Sequence, residues 1–363
     1  GFKTQFTYDL LDQLTKVTDP MGYETRYTYD VMGNLATVTD AKDEVTRYAY
    51  DLEGNLTSVT SPMGRVDAYT YYADGQVSAH VTAKGDTIRY DYNKLNELAE
   101  KSYETAKAED AQNPVSFQYD ILGQRTAMTD TTGTTTYEYD SLGRLVTMTA
   151  GSGKQVKYTY DNADNLASIS YPDGLEVSYE YDKNDNIVKI TYRNAGVTTC
   201  AYDALNRLTE TVRPNGIQTT YAYDAEDQIT EVRTTCFCGH LISSYTYEYN
   251  ESGYVSKETA KECLFTSDQG YGHKGGEINW CAHTDANPWQ NQNQVWETTT
   301  RTFTYDENGR LTECKEDKGS FRKITYSYTY DEVGNRTSAR KKESFKSDQY
   351  ASYTYNADNQ MVA

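Results

Sequence analysis

The sequence predicts an all-β protein, with tandem β-hairpins of ~21 residues laid side by side in one long, curved antiparallel sheet. Three observations predict it. A tyrosine recurs at a near-constant spacing, mostly 21 residues, along almost the whole chain of 363 residues. The residues before it alternate aromatic and small or polar, the period of a strand with one apolar face. Two distinct turn signatures fall inside every unit.

The recurring tyrosines are Tyr8, Tyr29, Tyr50, Tyr71, Tyr92, Tyr119, Tyr139, Tyr160, Tyr181, Tyr202, Tyr223, Tyr249, Tyr305, Tyr330 and Tyr355. Two residues before each stands another aromatic, with Cys200 the exception. Aromatics at i and i+2 with Thr, Ala or Glu between them make the first strand of the unit, and Thr and Tyr both suit a pleated surface.

The first turn follows. Four residues after each anchor the chain carries only Gly, Asp or Asn: Gly33, Gly54, Gly75, Gly123, Gly143, Gly253, Gly309 and Gly334, or Asp12, Asn96, Asp164, Asp185, Asn206, Asp227 and Asn359. These residue types tolerate positive φ. The Asp that usually follows the anchor can cap the loop, so the signature is a type I turn closed by a left-handed residue.

The second strand opens six residues after the anchor with an apolar residue (Leu14, Leu35, Leu56, Leu145, Leu166, Leu208), from which Arg125 and Arg336 depart. Val17, Val38 and Val59 come three residues later. Three is odd, so sharing a face requires a bulge, and the alternative is burial on both faces. The strand ends in DPMG (19–22), SPMG (61–64), YPDG (171–174) or RPNG (213–216), which is type I turn chemistry. Fifteen such units give about 30 strands and a ribbon roughly 140 Å wide at ~4.8 Å per strand, which must curl.

Composition agrees with a thin sheet. There are 36 Tyr against 8 Phe and 3 Trp, so the apolar face is built from rings whose hydroxyls need a partner or water. A net charge of −19 excludes nucleic acid as a partner, and Arg340, Lys341 and Lys342 read as a solvated strand end. No stretch approaches the roughly 18 apolar residues of a membrane helix, and no signal peptide is visible. Opening at Gly1 and stopping inside a repeat, the chain reads as a piece of a longer protein. Its edge strands near Phe2–Tyr8 and Ser352–Ala363 are then expected to recruit other chains or to be blunted by disordered termini.

The YDxxG(N/R)L motif, the preceding YxY and the DPxG turn resemble the Rhs or YD-repeat family over residues 6–250 and 301–363. That family includes bacterial Rhs polymorphic toxins, wall-associated proteins, toxin-complex shell subunits and teneurins. The resemblance implies a spiralling sheet that forms part of a hollow shell, which in bacterial members holds a toxic C-terminal domain. It divides the chain into a YD-repeat sheet over 1–250, an irregular insertion over 251–301, and a continuation of the same sheet over 302–363.

The unusual residues gather around the insertion. Cys236, Cys238, His240, Cys263, Cys281 and His283 form a candidate disulfide or metal cluster, with disulfides preferred because C-x-C is tight for zinc. Trp280, Trp289 and Trp296 suit a loop with its own small core. His80 reads as a packed or surface residue. No nucleophile–base constellation, phosphate loop or zinc-protease motif is present, so no catalytic or cofactor-binding residue is assigned and no cofactor is expected. The resemblance implies a non-enzymatic, secreted or cell-surface shell whose partner is the remainder of its own chain, a C-terminal toxin or core region. The alternative is a module whose exposed tyrosines bind carbohydrate at a cell surface.

Overall fold

The computed structural model describes residues 3–105, 113–264, 295–319 and 322–362, and every regular element among them is a strand. There are twenty-nine, from β1 (Gln5–Tyr8) to β29 (Gln349–Ser352), in one antiparallel sheet where each strand pairs with its neighbours in sequence. A bridge between Tyr355 and Met361 opens a further hairpin.

One unit shows why these residues make these elements. β3 (Glu24–Tyr29) pairs with β4 (Leu35–Thr39) as Tyr27↔Val38, Thr28↔Thr37 and Tyr29↔Leu35, with a register shift between the last two pairs. The shift absorbs one residue of β4. Leu35 and Val38, an odd three apart, therefore share the face that carries Tyr27 and Tyr29. The other face carries Arg26 and Thr28, both exposed, and Thr28 and Thr37 join hydroxyls at 2.6 Å. The same shift sits beside the anchor tyrosine in the other units, as at Tyr160↔Leu166 and Tyr223↔Ile229.

Nothing is stacked on this sheet among the described residues. No side chain is buried below 2% exposure, and every strand–strand contact is between chain neighbours. What burial there is concentrates where the strands lengthen, in β23 (Leu241–Tyr249), β24 (Val255–Leu264), β25 (Val295–Tyr305), β26 (Leu311–Asp317), β27 (Lys323–Tyr330) and β28 (Arg336–Glu343). Ala260, Thr299, Cys314, Glu316 and Ile324 all lie there. β24 and β25 pair without a break from Lys257↔Thr302 to Leu264↔Val295. Both flanks of the segment expected to be irregular are thus strand. Their charged and threonine-rich stretches weaken the apolar alternation that marks a strand, which hid them.

The sheet winds back onto itself. Asn308 donates to the Asp19 carboxylate at 2.6 Å, and Lys42 pairs with Asp331 at 2.5 Å. The Met63 amide donates to Asp358 at 3.0 Å, and Arg65 to Gln360 at 2.8 Å. The first contact joins the turn between β25 and β26 to the turn between β2 (Leu14–Thr18) and β3, 289 residues apart in sequence. Each contact spans the same twenty-three strands of the meander. One winding at ~4.8 Å per strand is roughly 110 Å around and roughly 35 Å across, far more than the ~10 Å at which facing sheets pack. The walls do not meet across the middle.

Candidate functional site

The repeat's chemistry is concentrated at the anchor tyrosines. Tyr29 donates its hydroxyl to the Leu14 carbonyl of the preceding hairpin at 2.9 Å. Tyr71, Tyr119, Tyr139, Tyr160, Tyr181 and Tyr202 do the same to Leu56, Leu98, Arg125, Leu145, Leu166 and Ile187. Tyr223, Tyr249, Tyr305, Tyr330 and Tyr355 reach Leu208, Ile229, Val255, Leu311 and Arg336. Each ring lies half-buried across the neighbouring hairpin and straps two units together. Tyr50 and Tyr92 are half-buried at the same place in their units, while Tyr8 is 56% exposed. Burial pushes the phenols of Tyr50, Tyr71, Tyr92, Tyr160, Tyr181 and Tyr249 above their ordinary range.

The two arginines in the apolar slot fit this arrangement. The strap uses the backbone carbonyl of Arg125 or Arg336, and the guanidinium lies over the Phe117 and Tyr137 rings, or over Tyr328 at 4.4 Å.

The turns form two rims. Gly33, Gly54, Gly75, Gly123, Gly143, Gly253, Gly309 and Gly334 all have positive φ, from 75° to 92°, as do Asp164, Asp185 and Asn206. Asp30 accepts from the amides of Met32 and Asn34. The Asn34 side chain, then its amide, holds that carboxylate below its usual range. The residue after the left-handed position stitches successive turns: Gln124 reaches the Gly143 carbonyl, Arg144 reaches Asp164, and Arg207 reaches Asp227. Arg144 also covers the Tyr160 ring at 4.6 Å. Tyr254 takes the arginine's place over Tyr305, and a Cβ on Gly309 would collide with it.

Where no second winding covers it, this first rim mixes polar tips such as Lys183 and Glu226 with exposed apolar ones. Leu10, Val31, Leu52 and Ile121 stand more than 90% exposed at the turn tips. The tips that meet the first winding instead carry Asn308 and Asp358 as contact groups, with Val333 half-buried. None of these seam residues was legible as a site. Their partners are 289 or more residues away, and sheet curvature alone joins them.

Of the cysteine and histidine cluster, the structure brings together Cys236, Cys238 and His240 in one turn, with a Cys236–Cys238 disulfide. Cys263 stands apart on β24 as a free thiol, and Cys281 and His283 lie outside the described residues. His80 stacks on Tyr69 at 4.5 Å with Nε2 2.9 Å from the Asp67 carboxylate, a packed position.

The long strands add a charge row across the tyrosine face. Arg301 lies between Glu258 and Glu316, and beside it the Tyr245 hydroxyl donates to Glu262, which with burial pushes that phenol to about 12. These groups satisfy one another, an arrangement that stiffens a sheet.

Comparison with known proteins agrees with this geometry. The RHS Repeat family model matches residues 8–45, 33–66 and 202–235, and the Teneurin YD-shell model matches residues 100–197. No curated protein sequence matches. Among solved structures, the crystal structure of TcdB2-TccC3-Cdc42 matches 99% of this chain and 23% of its own at 17% identity, with a TM-score of 0.55. A Tc holotoxin pore of Photorhabdus luminescens matches 99% of this chain and 25% of its own at 15% identity, with a TM-score of 0.45. This chain spans about a quarter of those chains' length, and the likeness to the first is one of fold. By its matched repeats and its single spiralling sheet, the chain belongs to the Rhs/YD-repeat family.

Proposed function

We propose that this chain is wall: a segment of the shell of a secreted or cell-surface Rhs/YD-repeat protein that encloses or displays a C-terminal toxin or effector and performs no chemistry itself. The observation that carries the reading is the seam, where the second winding docks on the first through Asn308–Asp19, Lys42–Asp331 and Met63–Asp358. A sheet that only displayed tyrosines would have no need to meet itself. Half-burial of the anchor rings across the neighbouring hairpin also counts against a row of sugar-binding platforms, because a sugar stacks on an open ring face.

The test is protease protection in the native full-length protein. Domains enclosed by the wall are expected to be cleaved at least about tenfold more slowly than in a Lys42→Glu variant, whose seam is opened by like charge against Asp331. Equal cleavage of parent and variant, with the seam shown to be open by hydrogen exchange at the 40–44 turn, overturns enclosure.

A further inference from the structure

The turn Cys236-Phe237-Cys238-Gly239-His240 occupies the slot held elsewhere by DPMG and its relatives. That turn type aims its first side chain at positions three and five: Asp19 Oδ1 accepts from the amides of Met21 and Tyr23, both at 2.9 Å, and Asp40 does the same to Lys42 and Glu44. The backbone here is the same loop. The Cys236 amide donates to the His240 carbonyl and the Gly239 amide to the Cys236 carbonyl, both at 2.9 Å, with Gly239 at φ 81°. Among the described turns of this kind, this one has metal-ligating residue types at positions one, three and five together.

The side chains converge accordingly. Cys236 Sγ, Cys238 Sγ and a ring nitrogen of His240 lie within 4.8 Å of one another, and Cys238 Sγ is 3.1 Å from His240 Nδ1. Cys236 is buried while Cys238 and His240 are exposed, so the site has a floor and an open mouth. The preceding turn on the rim closes one side: a Cβ on Gly216 would strike Phe237, so the two loops abut.

We propose that the dithiol form of this turn binds one thiophilic d10 cation, Cu+ or Zn2+, through the thiolates of Cys236 and Cys238 and the imidazole of His240. Three ligands with two thiolates complete a trigonal Cu+ site, whereas Zn2+ would add a water to reach four. The disulfide and the metal exclude each other. Opening the S–S bond takes two electrons and two protons from an external thiol reductant, which leaves as its own disulfide. Binding then releases the thiol protons to solvent. In reverse, exchange with an external disulfide re-forms the Cys236–Cys238 bond, expels the cation and discharges the external disulfide as two thiolates, which take up two protons from solvent to become thiols.

The experiment uses this chain, reduced with a phosphine and handled without oxygen. Cu+ or Zn2+ is titrated in competition with a chromophoric chelator of known affinity. The expected result is that the reduced parent withholds one equivalent of either cation, and the parent carrying the disulfide withholds none. Cys238→Ser and His240→Ala should each weaken retention by more than about tenfold. His240→Ala leaves both cysteines in place, and an unchanged β-sheet circular dichroism spectrum shows that it is folded. Retention of neither cation by the reduced parent overturns the proposal. So does undiminished retention by Cys238→Ser, which would assign the metal to other cysteines. The Zn2+ and Cu+ arms decide which cation the geometry prefers.

Discussion

Replacing Tyr160 by alanine separates a wall residue from a ligand-binding one. The ring is half-buried, its hydroxyl donates to the Leu145 carbonyl at 2.8 Å, and the Arg144 guanidinium covers it at 4.6 Å. A tyrosine buries about 150–250 Å² when fully enclosed, so about half of that lost at ~25 cal/mol per Å² costs about 2.5 kcal/mol. The hydroxyl's hydrogen bond contributes about 1 kcal/mol more. Tyr160→Ala should therefore cost a little over 3 kcal/mol, and Tyr160→Phe about 1 kcal/mol. Away from the seam each unit leans on its neighbours, so the loss is read best by native-state hydrogen exchange in residues 145–181, with denaturant unfolding as the global measure. Both variants should leave retention on a glycan array as it is in the parent. If Tyr160→Ala left exchange and unfolding unchanged yet abolished strong glycan retention by the parent, the tyrosine would be a binding group and the wall reading would fail.

Gly309→Ala should destabilise more than Gly54→Ala in thermal unfolding. Both positions have positive φ, costing about 1 kcal/mol for any Cβ, but only Gly309 would also push Tyr254 off Tyr305. At the seam, burial raises the Asp331 carboxylate, and the Lys42 and Asn335 hydrogen bonds outweigh it and leave it low. Lys42→Ala should then loosen the 331–335 turn by about 1 kcal/mol in hydrogen exchange, and Lys42→Arg, which keeps the cation and leaves the Asp331 turn cap in place, should largely restore protection. The fold should fail at both ends of the pH scale. Asp30, Asp51, Asp182 and Asp331 have lowered folded-state values, so their contribution holds above the ordinary carboxylate range near 3.8 and is lost as pH falls through it. The buried phenols are raised, so theirs holds below the ordinary value of 10.0 and is lost as pH climbs past it. Circular dichroism across pH should show a plateau between these limits, with alkaline unfolding coincident with tyrosinate absorbance. A melting temperature that already falls at neutral pH would contradict this.

Fold and hairpin were legible because the repeat wrote the same local chemistry many times. The odd spacing of Leu35 and Val38 left a bulge or burial on both faces open, and the register shift beside Tyr29 shows the bulge. The strands β24 and β25 were less visible, since stretches such as KETAKE and ETTTRT carry few apolar residues to reveal a period. The straps were half legible. A chain with 36 tyrosines had to find partners for their hydroxyls, but not which carbonyls would serve. The seam was not legible at all. Its groups are ordinary turn residues, and which of them meet depends on the accumulated curvature of twenty-three strands.

That number is odd, and its parity has a consequence. Turns alternate between the two edges of a meander, so an odd offset always lays one kind of edge on the other kind, never like on like. The contact is heterologous, of the sort that in assemblies of separate subunits gives screw-like filaments rather than closed rings. Such a thread has a direction and no built-in stopping point. Duplicating or deleting a whole hairpin changes the offset by two and leaves the mating intact, so evolution can lengthen or shorten this wall one unit at a time. Losing a single strand would set matching edges against each other and strip the thread.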